Sequence, residues 1–424
     1  MPEGNSYQPP MGGRDLLPLD VVQKRWIEDR LERVFQRWGY HRIITSTVET
    51  MDTLMAGGAI ERTEIVELQI SQVGELRLGL RPEVTASIAR AAMTRLASVT
   101  YPQRLYYNAN VFRRSAQGSR GGQQEHYQAG MELLGASGLM ADAEAVLLMA
   151  DCLHEVKLAD AKIVLGEAAL TYSLLSKFDE GNSPAEGLRQ REAVRHSIAA
   201  LDRVAIEEMP LSSDRKQLAL RLMDLRGEPA AVLDKLNAFD LDKTQQKIVN
   251  RLRSLIELLK LERAQGVAVP SIVLDLSLIR PIDYYTGIVF EVISASRRQI
   301  LGQGGRYDDL LAVYDTPNKT KSKGFPGVGF VLDIEQLRQE LSSSEHLPAQ
   351  TPHSDWLIVP KGETAAAAAL AYAQKIRSDK TVRVELSLDL AQSADEVRAI
   401  ARKRNINQIA WISAEGLPET EIVH

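Results

Sequence analysis

The segment RPIDYYTGIVFE, at residues 280–291, carries polar and aromatic side chains where a buried strand usually has Val, Ile and Leu. An apolar run, SIVLDLSLI, precedes it, and its end, IVFEVIS, is apolar again. The pattern therefore predicts a β-hairpin whose turn lies at Thr286-Gly287. An arginine, an aspartate and two tyrosines come before that turn, so we ask which partner these polar groups face.

Three other segments carry residues that could contribute to the same chemistry. VFRRSAQGSRGGQQEHYQAGMELLG, at residues 111–135, predicts two antiparallel strands with Arg113 on one and Gln128 and Glu132 on the other, where they can share a face. A surface hairpin with a solvated loop explains this segment equally well. RPEVTAS places Glu83 and Thr85 where a strand enters a helix, and Thr85 is equally suited to capping that helix and the charge of Glu83 to complementing its N-terminus.

The third segment is the glycine-rich run GQGGRYDDLL at residues 302–311. Taken alone, this run resembles a tight turn between strands as readily as a phosphate cradle.

Composition restricts the class of protein. The 424 residues suffice for two or three domains, and 25% charged and 44% apolar residues are ordinary for a globular chain. A formal net charge of −5 argues against a dedicated nucleic-acid binder. The single Cys152 excludes an intramolecular disulfide and a Cys-based zinc site. Because no secretory signal and no run of about 20 apolar residues is found, we expect a cytoplasmic protein. We also expect no bound metal and no cofactor.

Hydrophobic periodicity divides the chain into regions. Residues 19–40 have helical spacing that ends at Gly39, and HRIITSTVET at residues 41–50 predicts a strand. From about residue 171 to 265 the chain is rich in Leu and charged residues at helical spacing, which predicts a helical insertion in a larger domain of residues 1–340. A Ser/Pro-rich linker at 341–354 precedes a small α/β domain at 355–424, whose last predicted strand is QIAWIS.

Together, and in this order, these segments resemble the histidyl-tRNA synthetases and their paralogues, the regulatory subunits of ATP phosphoribosyltransferase. The resemblance extends from GGRDLLP at residues 12–18 into the small C-terminal domain and includes a dimer-forming helix and strand at about residues 21–50. It implies an α+β fold of the class II aminoacyl-tRNA synthetase type, with an antiparallel sheet, flanking helices and a helical insertion. The small α/β domain would correspond to a truncated anticodon-binding domain.

The resemblance also implies an L-histidine pocket. Glu83 and Thr85, with Gln128, would hold the α-ammonium group, Arg113 the carboxylate, and Glu132 a hydrogen bond from the imidazole, which suits these residue types. The predicted histidine-binding residues are Glu83, Thr85, Arg113, Gln128, Glu132, Arg280, Tyr284, Tyr285 and Tyr307.

The ATP-binding groups of the synthetases are altered in this chain. Gln336 stands where the enzymes have an arginine that meets the γ-phosphate, Asp333 replaces a glycine, and Ser115 replaces a glutamate of the hairpin. A neutral amide cannot make the bidentate, charged contact of a guanidinium to phosphate. Arg280 matches the catalytic arginine of the synthetases and favours the enzyme, although Pro281-Ile282 replaces the Gly-Leu that usually follows it.

Histidine-binding groups kept and ATP-binding groups lost indicate a sensor without catalytic residues. The resemblance then implies a regulatory subunit of ATP phosphoribosyltransferase, needed for activity of a short catalytic chain in the first step of L-histidine biosynthesis and mediating histidine feedback inhibition. The expected assembly is a hetero-octamer built on a homodimer of this chain, with no contact to membranes or tRNA. A divergent histidyl-tRNA synthetase is the alternative, and a synthetase-like protein with another partner is the third possibility.

Overall fold

The computed structural model describes residues 9–10, 12–58, 60–69, 77–114, 122–158, 160–178, 184–278, 284–315, 325–379, 381–390 and 392–423. The chain divides into two compact units, Met1–Pro348 and Ala349–His424. Among the described residues there is no helix with the length and apolar character needed to cross a membrane.

The first unit contains eleven helices and twelve strands among its described residues. The helices are α1 (Pro18–Arg37), α2 (Met51–Met55), α3 (Thr85–Thr94), α4 (Leu139–Glu155), α5 (Ala168–Leu175), α6 (Pro184–Ala199), α7 (Arg203–Glu208), α8 (Ser213–Met223), α9 (Pro229–Leu236), α10 (Lys243–Ala264) and α11 (Ile334–Leu341). The strands are β1 (His41–Arg42), β2 (Val48–Thr50), β3 (Val66–Glu67), β4 (Leu78–Leu80), β5 (Gln103–Phe112), β6 (Glu125–Leu134), β7 (Lys162–Glu167), β8 (Arg226–Gly227), β9 (Ser271–Asp275), β10 (Ile288–Ile293), β11 (Ile300–Tyr307) and β12 (Gly327–Asp333).

Nine of these strands form the central sheet, in the order β1-β5-β6-β12-β11-β10-β7-β9-β8. The pairs β1/β5 and β7/β9 are parallel, and the other neighbours run antiparallel. A separate three-stranded sheet has the order β2-β4-β3. An antiparallel sheet flanked by helices is the architecture that the sequence predicts.

Helix α1 covers this sheet with one apolar stripe. Ile27, Leu31, Val34 and Phe35 follow the spacing that places side chains on one helix face, and all four are fully buried. The ring of Phe35 stacks on Tyr106 of β5 with 5.3 Å between centroids. Each such side chain contributes roughly 1.5–3 kcal/mol by its removal from water.

The predicted hairpin around residues 280–291 is wrong. Strands β9 and β10 do not pair with each other, because β7 lies between them, parallel to β9 and antiparallel to β10. Strand β7 lies before the helical region in the chain, whereas β9 and β10 lie after it. The local sequence around β9 and β10 therefore does not show that β7 separates them.

The predicted strand at residues 41–50 is divided between the two sheets as β1 and β2. The buried Arg81 explains the division, because its Nη1 donates to the carbonyl oxygens of Thr45 at 3.0 Å and Ser46 at 3.3 Å. These bonds occupy carbonyl groups that a continuous strand would give to a neighbouring strand.

Six helices, α5 to α10, fill the chain between Ala168 and Ala264, where the sequence predicts the insertion. The longest, α10, begins at a capping box in which the Asp242 carboxylate accepts from the backbone of Gln245 at 2.8 Å, and the Gln245 side chain accepts from the Asp242 backbone in return. The short β8 within this region has no β signal in the sequence.

The second unit alternates strands and helices as predicted: β13 (Trp356–Pro360), α12 (Ala366–Arg377), β14 (Val384–Leu386), α13 (Ala394–Lys403), β15 (Gln408–Ile412) and β16 (Pro418–Ile422). The sheet order is β14-β13-β15-β16, parallel except for β16. Strand β16 was not predicted after QIAWIS. Its sequence PETEI is polar and mostly exposed, as suits an edge strand with one neighbour, so it lacks the apolar pattern of a buried strand.

Candidate functional site

Glycines in β11 and β12 form the floor of a pocket on one face of the central sheet. Gly329 pairs with Glu132 on one side and with Gly305 on the other. A Cβ atom at Gly329 would lie 1.8 Å from Oε2 of Glu132, and one at Gly305 would lie 2.6 Å from the ring of Tyr285. The glycine-rich run is therefore neither a turn nor a phosphate cradle, because it belongs to an extended strand over which larger side chains pass.

Glu132 lies at the centre of this pocket and is only 2% exposed. Its Oε1 accepts a hydrogen bond from the hydroxyl of Thr85 at 2.7 Å, and its Oε2 accepts one from the hydroxyl of Tyr307. Burial raises the pKa of Glu132 to about 8, although these two hydrogen bonds favour the carboxylate. Because this pKa lies close to physiological pH, the approach of a ligand is enough to change the charge of Glu132.

The start of α3 supplies the acid and the hydroxyl that the sequence singled out. Val84 occupies the N-cap position, and the Glu83 carboxylate accepts from the backbone nitrogen of Ala86 at 2.8 Å. The predicted interaction of the Glu83 charge with the helix N-terminus is present, whereas Thr85, which was considered as the cap, donates to Glu132 instead. Burial raises the pKa of Glu83, and its backbone hydrogen bonds act in the opposite direction.

The predicted hairpin of residues 111–135 is present, with Phe112 of β5 opposite Glu125 of β6. Gln128 and Glu132 are four residues apart on β6, so their side chains lie on the same face of the sheet. Arg113 follows β5 and lines the pocket as well, and its Nε donates to the carbonyl oxygen of Pro82 at 2.9 Å. These residues line the pocket, whereas residues 115–121 of the loop, on which the alternative of a solvated surface hairpin depends, lie outside the described residues.

Three tyrosines form one wall of the pocket. The ring of Tyr284 meets the rings of Tyr285 and Tyr307 edge to face, at centroid distances of 5.0 and 5.7 Å. The free space among the lining residues is about 40 Å³, so a ligand the size of an amino acid requires some of these side chains to move apart. Arg280 and Asp283, which the sequence placed beside this wall, lie outside the described residues.

Sequence reasoning missed part of the lining. Tyr107 is 3% exposed and faces the pocket from β5, and a Cβ at Gly130 would lie 2.6 Å from its hydroxyl oxygen. Its hydroxyl, on the strand that leads to Arg113, was the available signal. The further lining residues not predicted are Ile60, Val84, Gln303, Gly329, Phe330 and Val331.

A more open cleft of about 510 Å³ adjoins the pocket and shares Arg113, Gln128, Gln303 and Val331 with it. Asp333 and Gln336, the two residues that differ from the synthetases, both line this cleft. The Asp333 carboxylate accepts from the backbone nitrogen of Gln336 at 2.9 Å and so caps α11. Burial raises the pKa of Asp333.

Candidate metal ligands are not clustered in the part of the chain that the structure describes, where no three or more His, Cys, Asp or Glu residues could hold an ion. Ser115, the third residue considered for ATP binding, lies outside the described residues.

Comparison with known proteins identifies the family. The family model described as histidyl-tRNA synthetase matches residues 12–337. The ATP phosphoribosyltransferase regulatory subunit of Nostoc sp. (strain PCC 7120) is 53% identical over 98% of this chain and 99% of its own length. That of Nostoc punctiforme is 54% identical over 98% and 99% of the two chains. The chain belongs to the family of ATP phosphoribosyltransferase regulatory subunits.

Solved structures share the fold of this chain. A structure titled as an ATP phosphoribosyltransferase regulatory subunit/histidyl-tRNA synthetase from Bacillus halodurans has a TM-score of 0.78 and 26% identity, covering 97% of this chain and 99% of that one. The histidyl-tRNA synthetase from Nostoc sp. PCC 7120 has a TM-score of 0.75 at 20% identity, covering 98% and 97%.

The fold of the class II synthetase type is therefore confirmed for a member of the regulatory-subunit family. Eight of the nine residues predicted from the sequence surround one pocket or bond to its members: Glu83, Thr85, Arg113, Gln128, Glu132, Tyr284, Tyr285 and Tyr307. The ninth, Arg280, lies outside the described residues.

Proposed function

We propose that this chain is a regulatory subunit without catalysis of its own, which joins a short catalytic chain of ATP phosphoribosyltransferase and conveys inhibition by L-histidine. The family membership supports the regulatory role in the first step of histidine biosynthesis. The observation that carries the proposal is the contrast between two neighbouring cavities. The pocket keeps every described group that histidine needs. The adjoining cleft is lined by Arg113 and Arg298, but it carries Asp333 and Gln336 at the positions where the synthetases have a glycine and the arginine that meets the γ-phosphate.

The pocket suits free histidine by its charges and acceptors. Glu83 offers a carboxylate to the α-ammonium group, and Arg113 offers a guanidinium to the carboxylate at the edge shared with the cleft. Glu132 supplies a buried acceptor for an imidazole N–H, and the tyrosines enclose the ring. Hydrogen bonds to charged groups contribute roughly 1.5–3 kcal/mol each, so a few of them give micromolar affinity after the costs of binding.

The cleft supports the absence of catalysis. A carboxylate at Asp333 repels a triphosphate, and the amide of Gln336 cannot replace a guanidinium that would stabilise charge in the transition state. Loss of one preorganised donor of this kind lowers a rate about 10²–10³-fold. We therefore expect neither histidyl-adenylate formation nor aminoacylation of tRNA.

The proposed assembly has four copies of this chain and four catalytic chains in the cytoplasm. Residues 21–50 are the proposed homodimer region. Exposed apolar side chains support the assignment of this region to the dimer interface. Ile44 is 81% exposed, and Val48 lies nearby on the same stretch of chain.

Two measurements on the purified chain test the proposal. Calorimetry without ATP should detect one L-histidine per chain at micromolar affinity, and histidinol, which lacks the carboxylate, should bind at least tenfold more weakly. ATP–pyrophosphate exchange with histidine should be undetectable. An exchange rate within about tenfold of an ordinary histidyl-tRNA synthetase would instead favour the second candidate, a divergent histidyl-tRNA synthetase. The retained pocket is the observation that supports this alternative.

A further inference from the structure

A buried carboxylate joins the helical insertion to the strand that carries Tyr307. Asp142 of α4 is 1% exposed and accepts hydrogen bonds from two arginines on its two oxygens. Arg306 of β11 donates from Nε to Oδ1 at 2.7 Å, and Arg251 of α10 donates from Nε to Oδ2 at 3.1 Å. Helix α10 belongs to the insertion, and Arg306 directly precedes Tyr307 in the chain.

Arg306 also supports the segment that carries the other two tyrosines. Its side chain passes under Gly287, where a Cβ atom would lie 2.9 Å from its Cδ. Its carbonyl oxygen accepts from the backbone nitrogen of Thr286 at 2.8 Å, and the Thr286 hydroxyl accepts from the nitrogen of Asp308 at 2.9 Å. Arg306 and Asp308 are therefore both bonded to Thr286, which directly follows Tyr285.

The beginning of the insertion meets the same cluster. Glu167 is buried at the N-cap of α5, and the next residue, Ala168, donates from its backbone nitrogen to the carbonyl of Gly287 at 2.8 Å. Burial, followed by the charge of Asp142, raises the pKa of Glu167 to about 8. Both the first and the last helix of the insertion thus contact the residues that hold the pocket wall.

We propose that Arg251 is a positioning residue for the ligand pocket. It acts through Asp142 on Arg306, and Arg306 fixes the tyrosine wall. The placement of the insertion then sets the affinity of a pocket that is lined by none of the insertion's described side chains. The expected change in affinity rests on the proposed binding of histidine. The effect on the tyrosine wall can be measured without any ligand.

Variants at Arg251 are the first test. Arg251→Met removes the charge and keeps most of the length, and it should weaken L-histidine binding about tenfold by calorimetry, within the usual range of coupling between sites. Arg251→Lys keeps one charged donor and should recover most of that loss. The control is Arg203→Met, which breaks an exposed ion pair with Asp224 inside the same insertion and should bind histidine as the wild type does.

Hydrogen exchange on the free chain separates this inference from the proposed ligand. The backbone amides of Thr286 and Asp308 should exchange at least fivefold faster in Arg251→Met than in the wild type or in Arg203→Met. If Arg251→Met does not fold, Asp308→Asn takes its place, because Asp308 is 39% exposed and contacts Arg306 at 3.0 Å. Unchanged exchange at both amides, or equal weakening of histidine binding in the Arg203 control, would overturn the inference. Loss of wild-type histidine binding with the exchange difference intact would count against the proposed ligand alone.

Discussion

Replacing Glu132 by glutamine keeps the shape of the side chain and removes the charge that the pocket would offer to an imidazole. The carboxylate is 2% exposed and already accepts from Thr85 and Tyr307. The glutamine oxygen can accept from one of these two hydroxyls. Its NH₂ group then faces the other hydroxyl, which donated to the carboxylate, so that hydrogen bond is lost.

The expected loss of affinity follows from the type of hydrogen bond. A bond between an imidazole N–H and a buried carboxylate contributes roughly 1.5–3 kcal/mol. Its loss corresponds to about 10- to 150-fold in Kd above pH 8, where the free carboxyl group is already ionised, and the cost of removing the proton, about 1.4 kcal/mol, reduces this difference at pH 7. The wild-type value itself depends on pH. The free carboxyl group has a pKa of about 8, so at pH 7 it is mostly protonated and must lose its proton to accept the imidazole N–H as an ion.

The sign of the pH dependence is therefore fixed. Binding lowers the raised pKa of Glu132, so a proton is released, and the affinity rises as the pH increases from 6.5 to 8, by up to about tenfold per unit. Calorimetry at pH 7 in buffers of different ionisation enthalpy measures this proton directly. We expect close to one proton released per histidine in the wild type and none from this site in Glu132→Gln.

Glu144→Gln provides the matched control, since Glu144 is a largely buried acid bonded to Tyr40 and Arg104 outside the pocket. Its histidine affinity and proton release should equal those of the wild type. The reasoning is refuted if Glu132→Gln binds histidine within twofold of the wild type, or if the wild type shows no proton release and a flat pH profile.

Three further predictions concern the same groups. Tyr307→Phe removes a hydrogen bond that favours the Glu132 carboxylate, so its pKa should rise further and the pH at which histidine affinity levels off should move upward in the same calorimetric titration. Gly329→Ala puts a methyl group 1.8 Å from Oε2 of Glu132, so it should abolish histidine binding and lower the free energy of unfolding by about 1–3 kcal/mol in urea titrations. The pKa values of Glu132 and Glu167 are each raised to about 8, so the folded state holds more protons than the unfolded state between about pH 4.5 and 8. Stability should fall as the pH rises through this window, by up to about 1.4 kcal/mol per unit for each group, and Glu167→Gln should remove the contribution of one group from that slope, to which the raised pKa of Glu83 also contributes; a slope equal to that of the wild type would contradict the assignment.

Most of the pocket could be predicted because its residues lie in short segments with strong local signals. Gln128 and Glu132 share a face by the two-residue period of a strand, and Glu83 and Thr85 lie at one helix start. The family motifs placed these segments in one site. Physical periodicity alone left each segment open to a structural interpretation.

What sequence could not provide is the set of contacts between distant segments. Strand β7 lies between β9 and β10 in the sheet, and no local sequence pattern predicts that position. Arg251 reaches Asp142 across 109 residues, and neither segment has a motif. Tyr107 was missed because an aromatic residue in a strand is ordinarily a core residue, and only the neighbouring Gly130 directs its hydroxyl to the pocket.

The central claim is that this chain senses histidine for a partner enzyme and does no chemistry itself. Its most direct test mixes the purified chain with a short catalytic chain of ATP phosphoribosyltransferase and follows phosphoribosyl-ATP formation while L-histidine is titrated. We predict that adding this chain raises the rate at least tenfold, that histidine then lowers it, and that a complex made with Glu132→Gln is equally active but needs at least tenfold more histidine for inhibition. A catalytic chain whose rate is unaffected by this chain, or a Glu132→Gln complex inhibited at the wild-type histidine concentration, would contradict the account.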